Sequence, residues 1–193
     1  MMVKIKIVIK AIIFLLLAIF LKSEMHAQSF KDLDKAPHDI SYYRISKATP
    51  PLVKVIYGRP KKKKGKKVFG NLVKYGKVWR TGANEATEVK FYQDIVFGDV
   101  KVPAGTYVLY TIPGEKEWTI ILNSNLDVWG ACQYNPIFDV AKITVPASKA
   151  ETLDVFSIDF KEKKDVVQMV LGWDYIRVKI PIILKDNKLY AKL

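Results

Sequence analysis

Residues 78–87 read VWRTGANEAT, placing an arginine, an amide, a carboxylate and two threonines within ten positions. Arg80 offers a rigid fork of donors, Asn84 both donates and accepts, and Glu85 only accepts. Such a set can grip a polyol, a carboxylate or a peptide backbone. Trp79, Tyr75 and Trp129 are candidate aromatic platforms, since ligand sites join a few convergent polar groups to apolar and aromatic surface. Arg59, at the exit of a preceding hydrophobic run, is a candidate to join the group. A structural reading stands beside the binding one. Gly82-Ala83-Asn84 is good turn chemistry, and an Arg80–Glu85 ion pair would pin a long connection.

Other chemistry-bearing residues are sparse. Asn123, Asn125 and Asp127 alternate as oxygen ligands of a calcium loop often do, although Asn-Ser-Asn is also ordinary hairpin sequence. Glu85 with Asp127 or Asp174 would supply the two carboxylates that glycoside hydrolysis uses. His38 precedes Asp39, which would orient an imidazole as a general base; an exposed or edge-capping histidine is the plainer reading. Cys132, the single cysteine, follows Trp129-Gly130-Ala131 and reads as a small core residue.

The N-terminus has the three parts of a secretory signal peptide over residues 1–27. Lys4, Lys6 and Lys10 precede an apolar run from Ala11 to Leu21, and Met25-His26-Ala27 ends on a small residue. The run is too short for the roughly 20 residues of a membrane span. Export is therefore expected, to the periplasm or cell surface, with no membrane span in the mature chain. Without residues 1–27, His38 is the one histidine and Cys132 the one cysteine. That composition excludes an internal disulfide and the clustered-His or four-cysteine zinc sites within one chain. Nothing in the sequence calls for a cofactor.

Residues 1–27 carry four lysines and one glutamate of the formal +13, so the remainder carries +10. Six of those charges are Lys61, Lys62, Lys63, Lys64, Lys66 and Lys67, in the run KKKKGKK. Nucleic-acid binders spread basic residues over a face with aromatics between them, so no nucleic-acid partner is expected. The run reads as a solvated hairpin tip, with electrostatic contact to an anionic surface as the functional alternative.

Period-two alternation dominates after residue 50. In LVKVIY (52–57) Val53, Val55 and Tyr57 share a face, and in EWTIILN (117–123) so do Trp118, Ile120 and Leu122. GTYVLYTI (105–112) is apolar on both faces, as a central strand is. ATEVKFY (86–92), DVAKITV (139–145), LDVFSIDF (153–160), VVQMVLG (166–172) and YIRVKI (175–180) add five more strands. Pro113-Gly114 marks a hairpin tip, and Phe97-Gly98-Asp99 punctuates the approach to strand 105–112. The expected fold is all-β: an antiparallel two-sheet β-sandwich or jelly roll at 51–185, preceded by an extended arm at 28–50 whose SYYRIS is a candidate to pair at a sheet edge, and followed by a tail at 186–193.

GRPKKKKGKKVFGNLVKYGKVWRTGANEAT, VPAGTYVLYTIPGEKEWTIILN and DVWGACQYN resemble the exported bacterial proteins of domain-of-unknown-function family 2911. The resemblance spans roughly residues 37–182 and is most specific in the motif ending WRTGANEAT. It implies a Gram-negative envelope and carries no activity with it. Lys74 stands where the family usually has proline, and Lys142 where arginine is common; lysine keeps the charge without the two-pronged geometry. Three readings follow. The leading one is a non-enzymatic module binding a glycan, peptide or other envelope component. The others are a hydrolase of envelope carbohydrate and an assembly module without a small ligand.

Overall fold

The computed structural model describes residues 30–164 and 166–184, together with residues 2, 5–7, 9–10 and 12–14. It forms two compact units, Met1–Leu33 and Asp34–Leu193. In the first, the described positions between 2 and 14 are helical and Phe30–Leu33 have no regular structure. Among the described residues, no helix is long and apolar enough to cross a membrane. The expected cleavage segment at 25–27 and the tail at 186–193 lie outside the described residues.

The second unit is all-β and antiparallel. Its strands are β1 (His38–Tyr43), β2 (Val53–Gly58), β3 (Glu88–Phe91), β4 (Ile95–Phe97), β5 (Val100–Val102), β6 (Gly105–Pro113), β7 (Glu117–Asn123), β8 (Asp139–Lys163) and β9 (Val166–Leu184). They form one nine-stranded sheet in the order β1-β2-β3-β6-β7-β8-β9-β4-β5. The alternation in the sequence sets which faces are buried. Val53, Val55 and Tyr57 of β2 are inside while Lys54 and Ile56 are half-exposed. The Tyr42-Tyr43 pair, in the region expected to be an arm, belongs to edge strand β1 and pairs with β2.

Four expected strands are in fact two. Residues 139–145 and 153–160 are one 25-residue strand, and 166–172 and 175–180 one of 19. At about 3.3 Å per residue β8 would be roughly 80 Å long if straight, so it must bend. It pairs with β7 as far as Pro146 and with β9 from Ala147 onward. Register shifts at Lys149/Leu153 and Leu153/Ser157 absorb the bend, and Asp174 opposite Leu153 takes a left-handed φ of 49°. Polar residues that resemble turns in the sequence are here bulges, which kink a strand without reversing it. The three-residue hairpin β4–β5 is the converse: Gly98, with φ 65°, fills the first position of its two-residue turn.

One core cluster takes side chains from both ends of this sheet, including Val55, Leu109, Trp118 and Ile120 on one side and Phe156, Ile158, Met169 and Trp173 on the other. The Tyr57 hydroxyl meets the backbone of Ile158, accepting from its N–H at 3.1 Å. A smaller cluster of Ala86, Val108, Tyr110, Ile121 and Val128 covers the opposite face of β6 and β7. Those two faces of β6 explain its unbroken apolar sequence. The segment 124–138, which ends in a short 3-10 turn at Pro136–Phe138, closes over the smaller cluster through Val128, Ala131 and Tyr134.

Candidate functional site

Half of VWRTGANEAT is built into the core. Trp79 makes a two-hydrogen-bond bridge to Thr111 of β6, at 2.7 and 2.9 Å. Its ring lies among Phe69, Trp118, Phe156 and Trp173, with centroids 5.1 to 6.2 Å away, and its Nε1 donates to the Gly82 carbonyl at 3.1 Å. Aromatic pairs of this kind contribute about 0.5–1.5 kcal/mol each beyond burial. Thr81 and Thr87 are fully buried. The Thr81 hydroxyl bonds the Thr111 hydroxyl at 3.1 Å, and the Thr87 hydroxyl donates to the Thr81 carbonyl at 2.8 Å. The loop rests directly on the end of β2: a Cβ on Gly58 would stand 2.2 Å from the Ala83 carbonyl oxygen, a distance backbone cannot yield cheaply. Trp79 is therefore half-buried, its ring packed against the core.

Glu85 alone of the ten is exposed, while Val78, Trp79, Arg80 and Asn84 are half-buried. Ala86 N–H donates to the Val128 carbonyl at 3.0 Å and Gly130 N–H to the Asn84 carbonyl at 3.1 Å. Those bonds flank Glu85 and Trp129, which are bridged as an antiparallel pair. In a non-hydrogen-bonded pair the Cα atoms are about 4.5 Å apart and the side chains leave from the same face. Trp129 is 58% exposed. The Glu85 side chain is 53% exposed, and its Oε2 meets His38 Nε2 at 3.1 Å. A cleft of about 280 Å³ opens here, lined by His38, Glu85, Glu88, Asp127 and apolar Ile56, Ala86 and Val128. Glu88 Oε1 accepts the Asp127 N–H at 3.2 Å, where Asp127 has a φ of 57°. Two features escaped the sequence reading: the His38–Glu85 contact, 47 residues apart in the chain, and Glu88, whose outward position on a strand gave it no local mark.

The remaining candidates part company. The hydrogen-bond partners of Arg59 lie outside the Arg80 loop. Arg59 ties three segments together, donating to Asp39 Oδ2 at 2.8 Å, Ser157 Oγ at 2.8 Å and the Phe156 carbonyl at 3.2 Å. Arg80 and Glu85 form no ion pair, because Glu85 is turned to His38. Arg80 is half-buried with its Nη1 3.5 Å from where a Gly130 Cβ would be, and its buried Nε has no hydrogen-bond partner among the described residues. Asn84, at φ 63°, donates to the Ala36 carbonyl at 3.4 Å. Its side chain also reaches the Asp34 carboxylate, whose pKa is lowered chiefly by the Ala36 N–H and next by Asn84. Asn123 is buried, its amide donating to Asn135 and Asp139 and its oxygen accepting from Asn125 N–H. Among the described residues, no group of three or more His, Cys, Asp or Glu could hold a metal ion. Cys132 was expected inside and is exposed, its Sγ donating to the Trp129 carbonyl, while its neighbours Ala131 and Tyr134 take the places against the smaller cluster.

The lysine run is not a free hairpin tip. Lys61 bridges Val155, and Lys62 N–H donates to the Asp154 carbonyl at 2.6 Å. Lys62 then sends its ammonium inward to Asp174 at 2.5 Å, where the two side chains are only 15% and 8% exposed.

Residues 39–182 match the model of a family described as protein of unknown function (DUF2911). The chain belongs to that family. The matched range holds the whole loop, Trp129 and every strand but the first residue of β1 and the last two of β9. No curated protein and no solved structure matches the chain. The candidate site of this DUF2911 member is thus read from its own geometry: a packed decade of residues with Glu85 exposed beside Trp129.

Proposed function

We propose that the chain is a non-enzymatic binding module, acting after export in the periplasm or at the surface of a Gram-negative bacterium, and that it holds a glycan at the Glu85–Trp129 edge. One observation carries this reading: an exposed tryptophan and an exposed carboxylate are cross-paired on one face, and the carboxylate also lines a cleft with Glu88 and Asp127. The indole face suits the C–H face of a sugar ring, while carboxylates accept from its hydroxyls. His38 from β1 holds Glu85 in place by their 3.1 Å contact. A peptide would engage the same carboxylates through an ammonium group, and competition by a lysine-rich peptide distinguishes it.

The test is calorimetry with neutral oligosaccharides of cellulose, chitin and mannan type. Binding by the wild type, weakened about tenfold or more in Trp129→Ala at unchanged melting temperature, is the expected result; tenfold corresponds to about 1.4 kcal/mol. A wild type that binds none of them overturns the glycan reading. The hydrolase reading draws support from Glu85, Glu88 and Asp127 lining a single cleft, because two carboxylates across one bond suffice for glycoside hydrolysis. Product release by the wild type, abolished in Glu85→Gln with binding retained, would replace the binding module with an enzyme. A protein that binds nothing and releases nothing, yet unfolds when the loop is altered, leaves the assembly module.

A further inference from the structure

A second, independent cleft lies on the lysine run. It has a volume of about 410 Å³, and its walls include Lys66, Lys67, Phe69, Tyr75, Lys149 and Tyr175. Asp174 is the one carboxylate lining it, and that carboxylate is already committed. It holds Lys62 at 2.5 Å and accepts the Val68 N–H at 3.3 Å. Lys62 is likewise spent, with its ammonium also over the Tyr175 ring at 5.1 Å. Lys66, Lys67 and Lys149 are exposed and have no ion pair among the described residues. The cleft therefore carries about three uncompensated positive charges, drawn from two separate segments: the run and β8. Tyr75 and Tyr175, 37% and 54% exposed, give it two ring surfaces.

We propose that this cleft binds a phosphate ester carried on a ring, as in a sugar phosphate. The lysines supply point charges for the phosphate, and the tyrosines supply faces for the ring. A concave wall that converges on one volume fits a discrete anion; the formal charge of the run alone would suit any anionic surface. Lys61 and Lys64 belong to the same run but line neither this cleft nor the adjoining one of about 390 Å³, which Lys63, Lys66 and Lys67 share. Position and charge can therefore be separated.

The experiment is titration of the full chain with glucose-6-phosphate, with glucose as control and phosphatidylglycerol vesicles as a lipid source of phosphate. The ester is expected to bind and glucose to fail, with affinity falling as salt rises. Lys66→Ala with Lys67→Ala should weaken binding about tenfold or more. Lys61→Ala with Lys64→Ala removes two charges from the same run and should change it less than about twofold. Tyr175→Ala should weaken the ester while leaving inorganic phosphate unaffected. If the first pair fails to fold, Lys149→Ala, on the exposed side of β8, carries the same comparison. Equal losses from the two lysine pairs, or binding to vesicles that the ester does not compete away, would overturn the proposal. Trp129→Ala leaves this binding intact, so failure here and failure at the Glu85 cleft are distinct results.

Discussion

Buried Thr81 and Thr87 and the exposed pair Glu85–Trp129 lie close together under opposite constraints. Thr81 and Thr87 are sealed from water, and each hydroxyl has a partner inside the protein. A buried hydroxyl without a partner is costly, so the fold itself requires those contacts. Glu85 and Trp129, one strand-pair away, are more than half exposed. No packing demand explains a tryptophan there, and an exposed acid has water to satisfy it. A polar residue inside accounts for itself by what it holds up; an exposed aromatic residue does not. The buried residues tie down the backbone around Glu85: the Gly58–Ala83 contact and the Trp79–Thr111 bridge precede it, and the Leu109 N–H bond to the Thr87 carbonyl follows it.

The sharpest way to break that comparison is Trp79→Ala. It removes a ring packed against four others and should cost about 3–5 kcal/mol. Urea denaturation measures it; a loss below about 1 kcal/mol would mean that the loop is not anchored in the core. Thr87→Val is the next largest. It keeps the shape, leaves the Thr81 carbonyl without its 2.8 Å donor, and should cost about 1–3 kcal/mol. A neutral outcome would place the network outside the loop's support.

Much of this division was legible in advance, up to a definite point. Alternation picked out Val53, Val55 and Tyr57 and the Trp118-Ile120-Leu122 face, since period two fixes which side chains share a side. The run 105–112 announced two buried faces. Trp79 and Trp129 have no local difference that says which turns in. That is decided by their bridges to Thr111 and Glu85, which are contacts distant in sequence. The same holds for His38 with Glu85. Bulges at Leu153 and Asp174 use turn-like residues to bend a strand, so they hid the continuity of β8 and β9. Three-residue strands such as β4 are too short for any period to show.

The segment that carries Trp129 has its own tie, and alkali probes it. The Tyr134 hydroxyl donates to Asp139 Oδ2 at 2.8 Å. Burial, then that hydrogen bond and the Asp139 charge, push its pKa up to about 12. Tyr43, with its hydroxyl on Glu162, is likewise pushed up to about 12, by burial first. A raised phenol pKa means that the folded state holds its proton more tightly than the unfolded chain. The resulting stability is complete below about pH 10 and is lost as pH rises from about 10 through 12. Tyr134→Phe should cost about 1 kcal/mol at neutral pH and make the loss across that alkaline window shallower. Denaturation at pH values through the window reads both effects, and an unchanged slope would detach Tyr134 from the tie.

The smallest expected effect on stability sharpens the comparison most. Glu85→Gln removes one partner of a contact whose side chains are 39% and 53% exposed. Exposed pairs contribute from about zero to 1 kcal/mol, so urea denaturation should detect a change within about 0.5 kcal/mol. Trp129→Ala should behave alike, because the residue is more than half exposed and the hydrogen bonds on either side of it are backbone ones. If either variant instead destabilises by as much as Thr87→Val, the exposed pair is scaffold too, and the contrast disappears. If both are silent in stability and only they lose an oligosaccharide, the same ten residues hold one function in their folded base and another at their exposed edge. Stability alone would miss the second, because nothing in the core depends on it.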